Sequence, residues 1–546
     1  MRSCVRSRSE ALALLFAAFL ATGCKVDLPA TRWGGGTDGA EAGDASAAAT
    51  IEVGEPSSNT GLSVLTDTNR DGVVDDKDTP GFTDWSWKGL GAFLIANLDD
   101  DDNKGRVDSS DQVVNGQSDE NDLAPIIIKL APDIMAKTTD VLVSVIAGAA
   151  QTHLFEKTST GWQLVGGALP ELASQVQLGI EAAKFADTDW DGFVTVAVEV
   201  LGPKQSSIAS QRVKMRVAPW IMLPNSAKTE VLYMSSTTSR LRPDVNKVLE
   251  AAGLPDARAF CPTDQDIWFQ DTMEIGYTQL PGRPAMHVVM NGQRPGASDS
   301  VAITLLAPDF GFVSVGTPRP PANSEDEWMD WMSNLDVTPP VPGYPLGRIY
   351  YGRSDRTTFH PTIVRFLEAQ EVQKPFSVYV NWLLVQQVDE IMTFVPDTNG
   401  SAKMTIVSPA AASVVLGRSN DAGNQQIQGY INDDIAQAKS ELGLGDDDII
   451  QLPTLFDGGG TDYFPIWSNP ANSVYVNGTL MVGATDTPAA VRTDIEKKLG
   501  GIGIRVAWVD DSEYHSGTGN VHAATNTVRT PLCGSFTDCL MPGLTP

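Results

Sequence analysis

The feature that most constrains this chain is the crowding of acid side chains near its start. "NLDDDDNKGRVDSSD", Asn97 to Asp111, is followed shortly by "SDEND", Ser118 to Asp122. Carboxylates that dense repel one another, and a compact fold holds them only when cations neutralise them. Asn97, Asp99, Asp101, Asp108, Asp119 and Asp122 are hard oxygen donors, suited to calcium rather than zinc. The preceding "GAFLIAN" reads as a buried strand that delivers Asn97 into the cluster. The alternative is a solvated, self-repelling loop. Upstream, "DTNRDGVVDDKD" fits a calcium loop at each stringent position. Asp67, Asn69 and Asp71 supply oxygens, Gly72 makes the sharp turn, Val73 offers its carbonyl, and Asp78 closes the loop where a longer Glu is commoner.

The rest of the chain sorts by composition and periodicity. Arg2, Arg6 and Arg8 precede the apolar run "ALALLFAAFLATGC", too short to span a bilayer and read as an export signal over residues 1–23. It ends in small residues directly before Cys24, which predicts a lipidated N-terminus and a bacterial cell-envelope lipoprotein, held to the membrane by its lipid alone. Residues 24–50 are Gly/Ala-rich without periodicity, a flexible linker, and residues 51–84 carry the calcium loop. The formal net charge of −29 repels nucleic acid, excluding it as a partner, and favours divalent cations and basic peptides. In an exported chain Cys533 and Cys539 can pair across a short loop.

A chain of 546 residues predicts two to four domains. Short apolar runs such as "DVLVSVIAG" and "FVTVAVEVL", separated by Asp/Asn/Gly turns, predict a β-sandwich up to about residue 215. Beyond it, helices alternate with strands. "SRLRPDVNKVLEAAGLPD" puts Val245, Val248, Leu249 and Ala252 on one helical face, stopped by Gly253. "TPAAVRTDIEKKLGG" predicts a helix with Thr487 as N-cap, Pro488 in the first turn, Val491, Ile495 and Leu499 as its stripe, and Gly500 as C-cap. The strand "IGIRVAWVD" follows, with Ile502, Ile504, Val506 and Trp508 facing inward. These are α/β units.

One loop raises the question of chemistry. "SGTGNVHAATN", Ser516 to Asn526, flanks a histidine with glycines as an active-site loop does, yet two alanines follow His522. "RVAPWIMLPNS", "WFQDTMEIGY", "APDFGFV", "NLDVTPP" with "YPLGRI", "NWLLVQQVDEIMTFVP" and "GNVHAATN" occur in an order that resembles the protein-arginine deiminases, and "WSWKGLGAFLIANLDDDD" resembles that family's calcium-binding immunoglobulin-like domain. The resemblance covers roughly residues 85–535. It implies a calcium-binding immunoglobulin-like domain over 85–215, then a catalytic-type domain over 216–546 built as a five-bladed α/β propeller of ββαβ-type blades, the pentein fold. The implied reaction turns peptidyl-arginine into peptidyl-citrulline and ammonia.

That chemistry needs two carboxylates to grip the guanidinium, a thiolate to attack its carbon, and a histidine to protonate the leaving ammonia and activate water. The resemblance carries the carboxylates over as Asp271 and Asp389, and Trp268 as the wall along the substrate stem. Gln387 stands where the family has its histidine and Ala523 where it has its cysteine, while His522 is kept. Gln270, Glu274 and Asp336, with the carbonyls of Met332 and Leu335, match one calcium site, and Asp309 matches a ligand shared with the N-terminal cluster. At a neighbouring site Thr272, Asn291, Gly292 and Pro295 replace the family's ligands; of two substrate-binding arginines Arg294 is retained and Gly296 replaces the other. The expectation is a calcium-binding, catalytically silent binder of arginine-containing peptides. The alternatives are an active calcium-dependent deiminase with a nucleophile from elsewhere, such as Cys261 or Cys533, and a purely structural role for the two aspartates.

Overall fold

The strand Ala124–Leu130 alternates buried and half-buried side chains along its length, the period-2 signature of a sheet with one face in a core. It pairs antiparallel with Leu62–Leu65 on one side and Gln175–Ala182 on the other, and the sheet continues through Thr152–Thr158 to Gly161–Leu164. A second sheet runs Ala92–Leu94, Ser206–Val217, Phe193–Gly202, Asp140–Ala147 and Gly167–Ala168. Val64, Ile126, Ile128, Leu178 and Ile180 of the first sheet share one core cluster with Val141, Val143, Val196, Val198 and Val213 of the second. The computed structural model describes residues 61–260, 266–294, 301–317, 319, 328–399 and 401–540. The leader, the linker, Cys24, Cys261, Pro295 and Gly296 lie outside them.

From Ile221 onward the architecture changes to small sheets, each combining an antiparallel with a parallel pairing. One holds Ile221–Met222, Met273–Gln279, Ala285–Asn291 and Phe310–Val313; a second holds Arg258–Phe260, Thr229–Ser235 and Thr525–Arg529. A third holds Leu335–Val337, Ile349–Arg353 and Phe376–Tyr379, a fourth Met392–Pro396, Ala402–Ser408 and Ile449–Pro453, and a fifth Val474–Val476, Thr479–Gly483 and Arg505–Val509. A two-stranded hairpin, Phe456–Asp457 with Phe464–Pro465, is added to these. Parallel neighbours need a crossover, and helices supply it. Leu241–Ala251 leads into Arg258–Phe260, Pro361–Ala369 into Phe376–Tyr379, and Ala489–Gly500 into Arg505–Val509.

Both predicted helices form, with one shift. Val245, Val248 and Leu249 are buried, and Gly253 takes the left-handed φ of +71° that ends the helix. In the second helix Val491, Ile495 and Leu499 are buried as expected, but Pro488 is the cap residue and Gly501 the C-cap. The Thr487 hydroxyl turns back to the Thr485 carbonyl, so it does not cap. The following strand is packed on both faces: Ile504, Val506 and Trp508 face one cluster, Ala507 and Val509 another.

The N-terminal sheets are joined to the small sheets through Arg216. Its guanidinium bonds the Glu371 carboxylate at 2.9 Å and lies 4.6 Å from the centre of the Trp87 ring, while the Trp87 indole donates to the same carboxylate at 2.6 Å. Cys533 and Cys539 form a disulfide, and Phe536 between them packs edge-on against Phe93 at 5.1 Å. Among the described residues no helix is long and apolar enough to cross a membrane.

The loop that holds His522 is anchored by Asp511, which is fully buried. Its carboxylate accepts from Ser468 Oγ at 2.8 Å, Thr485 Oγ1 at 2.7 Å and Asn520 Nδ2 at 2.6 Å. Removing it strands two buried donors, Ser468 and Asn520, each costing about 1–3 kcal/mol, and the half-buried Thr485 hydroxyl. Asp511→Ala is expected to lower unfolding free energy by at least about 3 kcal/mol in urea titrations.

Candidate functional site

Three short segments converge to make the site. The single helical turn Phe269–Thr272 precedes the strand Met273–Gln279 and buries Gln270 and Asp271. The turn Val388–Glu390 buries Asp389 behind Gln387. The loop from Asn520 to Ala524 enters the strand Thr525–Arg529, and the Ala523 carbonyl accepts the Gln270 amide at 3.2 Å. Trp268 lies against this loop: a Cβ at Gly519 would meet its ring at 2.2 Å, which is why the loop is glycine-rich.

Asn472 ties the loop to the second carboxylate. Its Oδ1 accepts the backbone amides of His522 at 3.0 Å and Ala523 at 3.2 Å, while its Nδ2 donates to Asp389 Oδ2 at 2.6 Å. His522 Nδ1 reaches the same oxygen at 2.9 Å. The other oxygen, Asp389 Oδ1, is buried without a hydrogen-bond partner.

Asp271 is held differently. Arg294 Nη1 bonds its Oδ2 at 2.7 Å, and Gln387 Nε2 makes a long contact with its Oδ1 at 3.4 Å. Arg294 also bonds Asp266 Oδ2 through Nε at 2.6 Å and stacks 4.0 Å above the Trp331 ring centre. Burial pushes Asp271 up to about 6, with Arg294 opposing it. Burial likewise raises Asp389, while His522 and Asn472 pull it back. For His522 burial disfavours the charge, but Asp389, Asp336 and Glu274 outweigh it and hold the imidazole above its ordinary value. The site is thus a set of buried acids sharing too few cations.

Beside His522 lies a cavity of about 30 Å³, lined among others by Gln270, Glu274, Leu335, Asp336 and Arg529. That volume suits one small ion or water. Burial pushes Glu274 up to about 8, with Asp336 adding to it, and burial also raises Asp336, whose Oδ2 accepts from Tyr350 at 2.7 Å. The Met332 carbonyl accepts the Leu335 amide. The donor set is oxygen-rich and fits a hard cation, although Arg529 and His522 already bring positive charge to the same walls.

The N-terminal acids fit a cation more fully. Ligand oxygens of Asp99, Asp101 and Asp108 lie within 4.8 Å of one another, as do those of Asp100, Asp102 and Asp108. Asn97 Oδ1, Asp99 Oδ1 and both Asp101 oxygens are buried without a partner. Burial raises Asp99 to about 8, Asp108 to about 7 and Asp122 to about 9, with neighbouring carboxylates adding to each. Burial also raises Asp119, whose Oδ1 accepts from Asn97 at 3.0 Å. Asp309 donates its amide to Asp99 at 2.8 Å from a backbone φ of +57°, which joins this cluster to the small sheets. In the loop upstream, Asp67, Asn69 and Asp71 are drawn together, with Asp67 Oδ1 unpartnered. The Val73 amide donates to Asp71 Oδ1 at 2.9 Å. Asp78 behaves otherwise: its oxygens accept the backbone amides of Thr68, Asn69 and Asp75, so it caps the loop from within.

Residues 207–424 and 420–535 match the model of the family described as protein-arginine deiminase, and residues 61–202 match that of the protein-arginine deiminase middle domain. The chain belongs to the protein-arginine deiminase family. It is 27% identical to human protein-arginine deiminase type-1 over 554 residues, covering 86% of this chain and 81% of that one. It is 28% identical to human type-4 over 551 residues with the same coverage, and 28% identical to human type-3, covering 82% and 78%. Among solved structures it is similar to a C. jejuni agmatine deiminase at 12% identity and a TM-score of 0.40, over 57% of this chain and 97% of that one. An arginine deiminase from Porphyromonas gingivalis gives 14% identity and a TM-score of 0.38 over 57% and 98%.

In this deiminase-family chain the structure brings Gln270, Asp271, Gln387, Asp389, His522 and Ala523 into one neighbourhood, and adds three residues that sequence reasoning missed: Asp266, Trp331 and Asn472. None of the three carries a local signal; only the fold brings them near Asp271 and Asp389. The two described cysteines, Cys533 and Cys539, are bonded to each other.

The raised carboxylates fix a pH dependence. A carboxyl held above its unfolded value binds its proton more tightly when folded, so stability is greatest below about pH 4 and falls as pH rises through the folded values. For the chelated protein those values are about 6 for Asp271, about 7 for Asp108 and about 8 for Asp99. Thermal denaturation in EDTA is expected to show Tm falling steadily between pH 5 and pH 8, and calcium at a hundred times its dissociation constant is expected to restore about 2.7 kcal/mol per site.

Proposed function

We propose that this family member is a calcium-binding, catalytically silent binder of arginine-containing peptides. The observation that carries the reading is the composition of the convergent site: two buried carboxylates remain, while a methyl group and an amide stand where a sulfur and an imidazole would do the work. Ala523 sits 3.2 Å, through its amide, from the Asn472 oxygen that also anchors His522, so the loop keeps its seat without a nucleophile. Gln387 touches Asp271 and neither donates nor accepts protons at neutral pH. His522 is engaged with Asp389 and cannot supply the covalent sulfur step. The disulfide between Cys533 and Cys539 argues against either of them filling that role.

The unpartnered Asp389 Oδ1 supports a ligand donating N–H groups, and a guanidinium is the side-chain group whose fork suits paired carboxylates. Calcium, held by Asp99, Asp101, Asp108, Asn97, Asp119, Asp122 and Asp309, and by Gln270, Glu274 and Asp336, would neutralise buried charge. The facing N-terminal sheets support an immunoglobulin-like domain, and the five small sheets with mixed pairing support a five-bladed propeller. Export and lipid anchoring through Cys24 would present the site at the cell envelope.

Incubation with calcium and an arginine peptide is expected to yield no citrulline above a no-protein control; product above that level sinks the reading. Binding of the same peptide is expected to weaken at least tenfold in Asp271→Asn, by calorimetry, because a charge-assisted pair worth about 1.5–3 kcal/mol is lost. Ala523→Cys combined with Gln387→His is expected to gain measurable deimination, read as citrulline formed per hour.

A further inference from the structure

We infer that Arg294 is a resident guanidinium that closes the arginine pocket, so that an incoming arginine side chain binds by displacing it; this rests on reading Asp271 and Asp389 as a guanidinium clamp. Arg294 is posed as a bound arginine would be. Its side chain is 8% exposed, its Nη1 and Nε bond Asp271 at 2.7 Å and Asp266 at 2.6 Å, and an aromatic face covers it at 4.0 Å. Two carboxylates in the guanidinium fork and a ring on its face are the elements of arginine recognition.

The backbone is bent to deliver it there. Gln293, just before Arg294, has a φ of +55°, a left-handed conformation unfavourable for a residue with a side chain. The Gln293 side chain is fixed in turn, its Nε2 donating to the Val315 carbonyl at 2.5 Å. At Gly292 a Cβ would meet the Asp271 backbone carbonyl oxygen at 2.3 Å, so the chain passes tight against the backbone of the residue whose side chain Arg294 engages.

Arg294 nevertheless satisfies only half of the clamp. It engages Asp271 Oδ2 from the Asp266 side, while Gln387 reaches Asp271 Oδ1 at 3.4 Å and Asp389 Oδ1 has no partner. A guanidinium bridging Asp271 and Asp389 needs the Asp271 carboxylate in a fork, and the oxygen held by Arg294 is part of that fork. Two guanidinium ions on one carboxylate repel each other, so ligand entry and Arg294 departure are coupled. The apparent affinity is then reduced by the fraction of molecules in which Arg294 is out.

The test is binding of a fluorescent arginine tetrapeptide to the full chain in calcium, with its lysine counterpart as control. Arg294→Gln is expected to tighten arginine-peptide binding at least tenfold, and Asp266→Asn, which removes one of the two anchors, about threefold. Ethylguanidinium at millimolar concentration is expected to raise the Tm of Arg294→Ala and leave the wild type unmoved. If the wild type binds the peptide and neither Arg294→Gln nor Asp266→Asn tightens it, the displacement is overturned while the arginine-binding reading stands. If Arg294→Gln binds and the wild type does not, the closure is supported in a tighter form. Should neither wild type nor variants bind, the arginine-binding reading fails and the inference fails with it.

Discussion

Burying a carboxylate without a partner costs several kcal/mol, and the whole molecule is arranged around that cost. Buried acids gather most densely in two places, the cluster from Asp99 to Asp122 and the convergent site around Asp271, Asp389, Glu274 and Asp336. Each place meets the cost in its own way. The N-terminal acids have mainly backbone amides and one another, with Lys104 on Asp102 and Arg106 on Asp111, so a hard cation from outside would relieve the rest. The convergent site brings its own cations, Arg294 to Asp271 and His522 to Asp389. Asp309, whose amide reaches Asp99 from the small sheets, ties the first arrangement to the strand that begins at Phe310.

The geometry around the loop shows how its shape is held without the side chain at position 523. Asp511 fixes Asn520, Asn520 receives the Asn469 amide, and Asn472 fixes His522, Ala523 and Asp389 together. None of these contacts uses the side chain at position 523. A methyl group there forgoes no hydrogen bond that the loop's amides, Asp389 or the indole of Trp268 depend on. Selection for folding alone would therefore tolerate Ala523. It would not by itself explain a buried acceptor left open at Asp389.

The elements most legible in the sequence were those with strong periodicity or punctuation. Val245, Val248 and Leu249, bounded by Gly253, mark a helix because 3.6-residue spacing and a left-handed stop are local properties. The buried strand before Asn97 was readable from its apolar run, although it ends at Leu94, three residues short of Asn97. Local reading failed where two local options compete. Thr487 had a carbonyl closer to hand than the helix amides, and Asp78 matched a ligand spacing while its oxygens were claimed by Thr68, Asn69 and Asp75. The resemblance supplied Asp271, Asp389, Gln387 and Ala523 as neighbours. It could not supply Asp266, Trp331 or Asn472, whose importance is a matter of which atoms face Asp271 and Asp389 across the fold.

The charge count at the clamp also bears on why such a pocket would hold its own arginine. A site with a thiolate would carry one more anion beside Asp271, Asp389 and Asp266, and a second guanidinium would then have somewhere to go. With Ala523 there is no such anion, and Asp266, Asp271 and Asp389 are met by Arg294 and His522. An incoming guanidinium gains only the exchange: it gives up water, evicts Arg294 from Asp271, and profits from the open oxygen of Asp389 that Arg294 does not reach. Binding under those terms selects for ligands that make further contacts outside the pocket, because the guanidinium alone brings little surplus. The specificity of such a protein would then reside less in the arginine it grips than in the chain on either side of it.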